Sequence, residues 1–249
     1  MKGEPMLAVE CVSKRFGGVV ANHEISIQVS QGEIVGLIGP NGSGKTTLFN
    51  SIVGFHPIDG GAIRFEGRDI SHLRVPQIAR RGLLRTFQQT RIYGGMTCME
   101  NMRISQPHVR EGVLTLLSRF PPEVDERAEE LLEFVGLFSK RFLLAGDLSF
   151  GQQKLLEFAM ALMNEPKILL LDEPTAGINP TLINGLLDRL RRVNADLGIT
   201  LLVIEHNMRV IMNLAQRIYC LAHGELLAEG SPAEIQGDQR VIDAYLGAH

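Results

Sequence analysis

Residues 39–46 read Gly-Pro-Asn-Gly-Ser-Gly-Lys-Thr and fit the pattern G-x-x-x-x-G-K-[ST] of a phosphate-binding loop. The apolar run 34–38 precedes the loop and predicts a buried strand, and a helix is expected to begin near Lys45. Glycines let such a loop curl until its N–H groups face inward, and the helix N-terminus adds partial positive charge. The stretch therefore predicts a nucleotide site in which Lys45 contacts the β- and γ-phosphates and the Thr46 hydroxyl ligates Mg²⁺. A glycine-rich turn with an incidental lysine is the alternative.

A second apolar run, 168–171, ends in two carboxylates, Asp172 and Glu173. Buried strands of this kind end at the sheet edge where ligands bind. We expect Asp172 to hold Mg²⁺ through water, and Glu173 to orient or deprotonate an attacking water. Alone, the pattern also fits an ordinary strand that ends in an acid. Combined with the loop at 39–46, it points to nucleotide hydrolysis.

Four further features are ambiguous when each is taken alone. Ser149 with Gln152 three residues later forms a capping box, which predicts a plain helix start or, with the glycine at 151, an anion site. His206 follows the predicted strand 200–205 and suits either a phosphate contact or a surface or capping role. Gln88 follows the segment 83–87, and this position alone does not indicate a role for it. Phe16 suits either stacking on an adenine base or a place in the core.

Beyond these motifs, predicted strands and helices alternate at both ends of the chain. This alternation predicts a parallel sheet that helices cover on both faces. The opening third is rich in predicted strands. Residues from about 96 to 163 form a mostly helical insertion, which Thr97 and Glu100 open with a capping box. Asn179 and Pro180 give the N-cap and first-turn proline of a later helix through Leu197.

Composition excludes several classes of protein. The chain has 249 residues, of which 45% are hydrophobic, enough for a substantial core. A formal charge of -3 argues against a dedicated nucleic-acid binder. Cys11, Cys98 and Cys220 lie far apart and predict reduced thiols. The N-terminus lacks a signal-peptide pattern and the apolar runs are strand-sized, so we expect any link to a membrane to require a partner.

Taken together, the motifs resemble the ATP-binding cassette of an ABC transporter over essentially the whole chain. The features that carry the resemblance are, in chain order, Phe16, the loop at 39–46, Gln88, the signature at 148–152, the acidic strand at 168–173, the segment 176–180 and His206. A closer similarity to the ATP-binding subunits of branched-chain amino acid importers rests on the strings SKRFGG, RTFQ, LSFGQQ, AGINP, IEHNM and AYLG. Phe150 departs from the commonest signature, L-S-G-G-Q.

The resemblance implies an α/β fold: a RecA-like P-loop core with a parallel sheet, an N-terminal antiparallel β subdomain and an inserted α-helical subdomain. It implies one ATPase domain over 1–249. Residues about 1–95 and 164–249 would form the nucleotide-binding core with the β subdomain, and about 96–163 the helical subdomain that carries the signature.

The resemblance also implies ATP and Mg²⁺ as cofactors and assigns site residues. The expected catalytic residues are Glu173, His206, Gln88 and Lys45. The expected nucleotide-binding residues are Phe16, Gly39, Pro40, Asn41, Gly42, Ser43, Gly44, Lys45, Thr46, Thr47, Ser149, Gly151 and Gln152. The expected metal-binding residues are Thr46, Gln88 and Asp172.

The implied partners are a second cassette, identical or related, two integral membrane permease subunits and, indirectly, an extracytoplasmic substrate-binding protein, with no nucleic acid. The implied location is peripheral, at the cytoplasmic face of the inner membrane, and the implied cargo is a branched-chain or related amino acid or amide. A soluble single-cassette ATPase, for example of the iron–sulfur assembly type, is the alternative. A small-molecule kinase would not need these motifs in this order, and Lys45, Asp172, Glu173 and His206 argue against a protein that only binds nucleotide. The basic cluster Arg80, Arg81, Arg85 and Arg91 suits a solvated face or a surface for membrane subunits or headgroups.

Overall fold

The computed structural model describes residues 4–86, 92–106 and 120–246. The strands are β1 (Leu7–Phe16), β2 (Val19–Val29), β3 (Ile34–Ile38), β4 (Gly60–Phe65), β5 (Arg68–Asp69), β6 (Leu83–Arg85), β7 (Ile168–Asp172), β8 (Thr200–Ile204), β9 (Arg217–Ala222) and β10 (Glu225–Gly230). The helices are α1 (Lys45–Ile52), α2 (Val75–Ala79), α3 (Cys98–Ile104), α4 (Pro122–Phe134), α5 (Phe150–Leu162), α6 (Pro180–Leu197), α7 (Met208–Leu214), α8 (Pro232–Gly237) and α9 (Gln239–Leu246). Short 3₁₀ helices lie at Phe138–Lys140 and Ala145–Asp147.

The strands form two sheets. The first is antiparallel, in the order β2-β1-β4-β5, which confirms the predicted N-terminal β subdomain. The second has the order β10-β9-β3-β8-β7-β6. Its strands from β9 to β6 run parallel, so the carboxyl ends of β3, β7 and β8 meet at one edge. The predicted α/β fold is confirmed, and this edge is where a ligand is expected.

The strand β10 runs antiparallel to β9, so the second sheet is mixed rather than wholly parallel. Only His223 and Gly224 connect the two strands, and both have positive φ, 51° and 81°. Two-residue loops with this backbone match the twist of an antiparallel hairpin and leave no room for a crossover helix.

The core lies around the central strands of the second sheet. Every residue of β3, β7 and β8 is buried, because each strand has a neighbour on both sides and packs on both faces. Leu48, Phe49 and Ile52 of α1 join the same cluster and are fully buried. The helix that follows the loop at 39–44 is therefore fixed on the sheet by its apolar side chains.

The chain forms two compact units. The first comprises the described residues of Met1–Arg85, Lys167–Pro174 and Arg191–His249, and the second those of Thr86–Pro166 and Thr175–Leu190. The second unit is mainly helical; within 96–106 and 120–163 its only β pairing is an isolated bridge between Thr97 and Leu144. The predicted division of 1–249 into core and helical subdomain stays a prediction.

Local signals in the second unit are confirmed. The hydroxyl of Thr97 accepts from the Glu100 N–H, and the Glu100 carboxylate accepts from the Thr97 N–H at 2.7 Å, so the predicted capping box opens α3. The helix α4 ends with Val135 as its C-cap, and Gly136 follows with φ of 76°. A left-handed residue after the last turn ends a helix, as the glycine predicts.

All three cysteines are free thiols; Cys98 and Cys220 are buried and Cys11 is exposed, so the prediction that no disulfide framework forms is confirmed. Within the described ranges, no helix combines the length and the apolar character that crossing a membrane requires.

Candidate functional site

The loop at 39–44 connects β3 to α1, as predicted. Gly39 has φ of 146°, and a Cβ atom there would lie 2.1 Å from the Leu221 carbonyl oxygen. Gly44 is the N-cap of α1 with φ of 98°, and a Cβ atom there would lie 2.3 Å from the Ala21 carbonyl oxygen. Both positions therefore require glycine for backbone conformation and for space. No side chain of the described residues caps α1, so its first N–H groups remain available to an anion.

Lys45 folds back over this loop. Its ammonium donates to the carbonyl oxygens of Gly39 at 2.8 Å and Pro40 at 2.9 Å, and lies 3.4 Å from the Ser43 hydroxyl. Burial lowers the pKa of Lys45 below its usual value, and the nearby carboxylates of Glu173 and Asp172 partly oppose this effect. The ammonium is thus held against the loop by two backbone carbonyls and the Ser43 hydroxyl. Thr46 is exposed and Thr47 half-buried at the start of α1.

Asp172 ends β7 as a buried carboxylate. Its Oδ2 accepts from the Arg85 guanidinium at 2.5 Å, and its buried Oδ1 has no hydrogen-bond partner among the described residues. Burial raises the pKa of Asp172, while the hydrogen bond from Arg85 lowers it. Arg85 also donates to the Asn50 side chain on α1. The Arg85 guanidinium therefore links β6 to both β7 and α1.

Arg85 is a residue that reasoning from the sequence misplaced. Both predicted roles for it, in a solvated face or a membrane-facing cluster, are wrong, because its side chain is only 8% exposed. The parallel pairing of β6 with β7 turns Arg85 toward Asp172. The sequence offered one signal of this contact. Arg85 ends a short apolar run, and a second apolar run, 168–171, ends in acids that an arginine could pair with. Arg91 of the same cluster lies outside the described residues.

Glu173 and His206 form a pair at the same edge of the second sheet. Glu173 follows β7 and is held by its N–H, which donates to the Ile204 carbonyl at 2.9 Å. Its φ is 51°, which is uncommon for a residue with a side chain, and the backbone bends there as it leaves β7. The His206 Nε2 lies 2.5 Å from Glu173 Oε1. The alternative that His206 caps a helix is wrong, because Asn207 caps α7.

Phe16 lies at the end of β1 with 44% of its surface exposed, so the alternative of a core aromatic is wrong. The ring meets His56 edge-on, with centroids 5.1 Å apart, and the Lys14 ammonium lies 5.3 Å from its centroid. Lys14 is itself fixed by Asp59 at 3.3 Å. An exposed aromatic ring held in this way can stack on a planar base.

The signature residues belong to the second unit. The Ser149 hydroxyl accepts from the Gln152 N–H at 3.4 Å, and the Gln152 side chain accepts from the Ser149 N–H at 3.1 Å. The predicted capping box is confirmed as the start of α5, and the anion site at the same helix end stays a prediction. Gly151 and Gln152 are half-buried in the first turn, and Phe150 is 49% exposed. The predicted Gln88 lies outside the described residues.

Comparison with known proteins places this geometry in a family. The sequence matches the ABC transporter family over residues 22–176, and the branched-chain amino acid ATP-binding cassette transporter family over 225–249. It is 39% identical to the high-affinity branched-chain amino acid transport ATP-binding protein LivG of Salmonella typhimurium, over 98% of each chain.

Solved structures agree. The ADP conformation of MJ1267, an ATP-binding cassette of an ABC transporter, superposes with a TM-score of 0.88 at 35% identity, over 98% of this chain and 99% of that one. The dimeric post-hydrolysis state of the ATP-binding cassette MJ0796, bound to ADP and Pi, gives a TM-score of 0.78 at 26% identity, over 91% of this chain and 99% of that one. The protein therefore belongs to the ATP-binding cassette family of ABC transporters and is an ATPase of that family.

Proposed function

We propose that this protein is the ATP-hydrolysing subunit of an ABC importer that takes up branched-chain or related amino acids or amides. The observation that carries the proposal is the Glu173–His206 pair, whose Oε1 and Nε2 atoms lie 2.5 Å apart. The pair accompanies a phosphate-binding loop on which the Lys45 ammonium is already bonded to the Gly39 carbonyl. The similarity to LivG over the whole chain supports the class of cargo. On this proposal, 1–249 works as one cassette.

The nucleotide phosphates bind N–H groups that follow Pro40 in the loop, together with the N-terminus of α1. Lys45 leaves the Gly39 and Pro40 carbonyls and pairs with the β- and γ-phosphates, because its ammonium is attracted more strongly to an anionic phosphate oxygen than to a neutral carbonyl. Phe16 stacks on the base. Thr47 lies in the first turn of α1 behind Thr46 and adds polar contacts to the phosphates.

The residues present suit a Mg²⁺ ion. Magnesium binds oxygen ligands and is usually held by one or two carboxylates together with substrate phosphates. The buried Oδ1 of Asp172 has no hydrogen-bond partner among the described residues and is the kind of atom that a cation or its bound water satisfies. Thr46, at the start of α1, is exposed and offers a hydroxyl oxygen. Thr46, Asp172 and Gln88 would hold the ion, which when bound neutralises charge on the phosphates.

Hydrolysis uses an in-line attack by water on the γ-phosphorus. The Glu173 carboxylate accepts a hydrogen bond from that water and orients or deprotonates it, while His206 holds the carboxylate in place and steadies the γ-phosphate. Gln88 would sense Mg²⁺ and report its presence to the membrane subunits.

Two cassettes act together in this proposal, head to tail. Ser149, Gly151 and Gln152 of one chain bind the γ-phosphate held by the loop of the other, since the N-terminus of α5 favours an anion. The dimeric structure of MJ0796 supports the pairing of two cassettes. ATP then favours the closed dimer and hydrolysis reopens it. Two permease subunits anchor the pair at the cytoplasmic face of the inner membrane and receive substrate from an extracytoplasmic binding protein.

Copurification tests the importer assignment against the soluble single-cassette alternative. Tagged protein, expressed with its genomic neighbours and extracted in mild detergent, should retain two integral membrane proteins and show ATPase activity that substrate-loaded binding protein increases. Active ATPase that retains only soluble partners would support the alternative instead.

Arg85 offers a separate test of the site. We expect Arg85→Met to lower the free energy of unfolding by about 3 kcal/mol, because Asp172 becomes a buried charge without a partner. The loss should be smaller at acidic than at neutral pH: the pKa of Asp172 is already raised, and a protonated carboxyl carries no charge to bury. Urea unfolding at several pH values measures both effects.

The double variant Arg85→Met/Asp172→Asn should recover most of that stability, because the unpaired charge is then absent. The exposed Arg80 provides the control, and Arg80→Met should change stability by less than about 0.5 kcal/mol. Equal losses in Arg85→Met and the double variant would contradict the pairing.

A further inference from the structure

The last helix of the chain reaches the first residue of the phosphate-binding loop. The Tyr245 hydroxyl, on α9, accepts a hydrogen bond from the Gly39 N–H at 2.8 Å. Burial raises the pKa of Tyr245 to about 12, so the hydroxyl stays protonated and neutral near neutral pH. None of the phosphate, metal or water roles described above uses this residue.

Gly39 is consequently held on both sides. Its N–H donates to Tyr245, and its carbonyl accepts from the Lys45 ammonium at 2.8 Å. Its backbone, with φ of 146°, also passes so close to Leu221 that no side chain fits. A residue whose N–H and carbonyl are both engaged, and which has no space for a side chain, has a fixed backbone orientation, and this orientation sets the direction of the loop that follows.

The helix α9 is itself well anchored. Asp238 accepts from the Arg240 backbone N–H at 2.9 Å and pairs with the Arg240 guanidinium at 2.6 Å, which fixes the start of the helix. Val241 is 3% exposed and packs its first turn into the protein. The Gln239 side chain donates to Asp243 at 2.8 Å along the exposed face. Tyr245 is thus presented from a helix whose first turn is ordered by these contacts.

We propose that Tyr245 is a positioning residue that holds the first peptide of the phosphate-binding loop, and so keeps the loop in its nucleotide-binding shape before the nucleotide arrives. The inference rests on the proposed function, because it assigns Tyr245 to the same site. Preorganised donors bind an anion more tightly than donors that must first be ordered. The C-terminal helix is therefore part of the nucleotide site.

Tyr245→Phe tests this in the full-length chain, since it removes the hydroxyl and keeps the ring. We expect affinity for ATP and for ADP to fall alike, by about three- to tenfold, which matches the loss of one neutral hydrogen bond. The turnover number at saturating ATP should stay within about twofold, because Glu173 and His206 are untouched. Fluorescent-nucleotide titration and steady-state kinetics measure the two quantities.

Tyr219→Phe is the matched control. Tyr219 is also buried, its pKa is also raised to about 12, and its hydroxyl also bonds backbone, at Gln28. This variant should leave nucleotide affinity unchanged. A loss of affinity in both variants, or in neither, would overturn the proposal.

The Gly39 amide gives a readout that needs no nucleotide. In Tyr245→Phe its hydrogen exchange, followed by NMR, should be faster than in the wild type, and in Tyr219→Phe it should not change. Wild-type protein that bound no ATP would refute the proposed function, yet the exchange of Gly39 would still decide whether Tyr245 holds the loop. Unchanged exchange in Tyr245→Phe would refute the inference alone.

Discussion

Glu173→Gln is expected to reduce ATP hydrolysis by about 10²- to 10⁴-fold while nucleotide binding is retained, because a general base contributes on that scale. Glutamine has the same shape, and its Oε1 can still accept a hydrogen bond from His206, which now lies 2.5 Å from the carboxylate. The amide cannot take a proton from water. Phosphate release at saturating ATP and Mg²⁺ measures the loss, and fluorescent-nucleotide titration measures binding.

Glu66→Gln is a close control for this substitution. Glu66 also has a left-handed backbone, with φ of 49°, and its carboxylate also pairs with a basic side chain, Lys167, at 2.7 Å. It lies in the turn between β4 and β5 of the first sheet, whereas Glu173 follows β7 of the second. We expect normal turnover in this variant. With ATP, the Glu173→Gln protein should also accumulate as a dimer in size-exclusion chromatography. Turnover near the wild-type rate would remove Glu173 from the proposed chemistry.

Lys45→Ala is expected to weaken binding of ATP by about 10- to 100-fold, since a hydrogen bond to a charged group contributes about 1.5–3 kcal/mol. The ammonium already lies on the phosphate-binding loop, bonded to the Gly39 and Pro40 carbonyls. The expected loss is larger for ATP than for adenosine, which carries no phosphate. Isothermal titration with both ligands measures the difference.

Lys167→Ala is the matched control, because it also removes one positive charge from the first unit. Lys167 is exposed and pairs with Glu66. Its ATP affinity should equal that of the wild type. Thermal unfolding of Lys45→Ala should show a folded protein, because burial already disfavours the charged form of this lysine. Wild-type ATP affinity in a folded Lys45→Ala protein would contradict the role of the loop.

Features set by neighbouring residues in the chain were predictable. The strand, glycine loop and helix at 34–52 follow from an apolar run, glycines and helix-forming residues in succession. The capping boxes at Thr97 and Ser149 depend on residues three apart, and both are present. Such signals are local, so the sequence carries them in a short window.

Features set by partners distant in sequence were not predictable. Arg85 meets Asp172 across 87 residues, and Tyr245 meets Gly39 across 206. A charged residue in a basic run favours a solvated surface, and only the pairing of β6 with β7 shows that Arg85 is buried. The exposure of Phe16 likewise depends on where β1 ends within its sheet. Contacts of this kind depend on the order of the strands in the sheets, which neither composition nor hydrophobic periodicity predicts.

The contacts of Arg85 have a consequence for sequence variation. Its guanidinium bonds both Asp172 and Asn50, so three positions from β6, β7 and α1 depend on one another. A relative that loses the arginine leaves the acid at 172 buried without its partner, and it cannot replace that acid without losing the proposed metal ligand. Arg85 and Asn50 should therefore be retained in relatives that hydrolyse ATP, and all three positions should be free to change only in relatives that have lost hydrolysis.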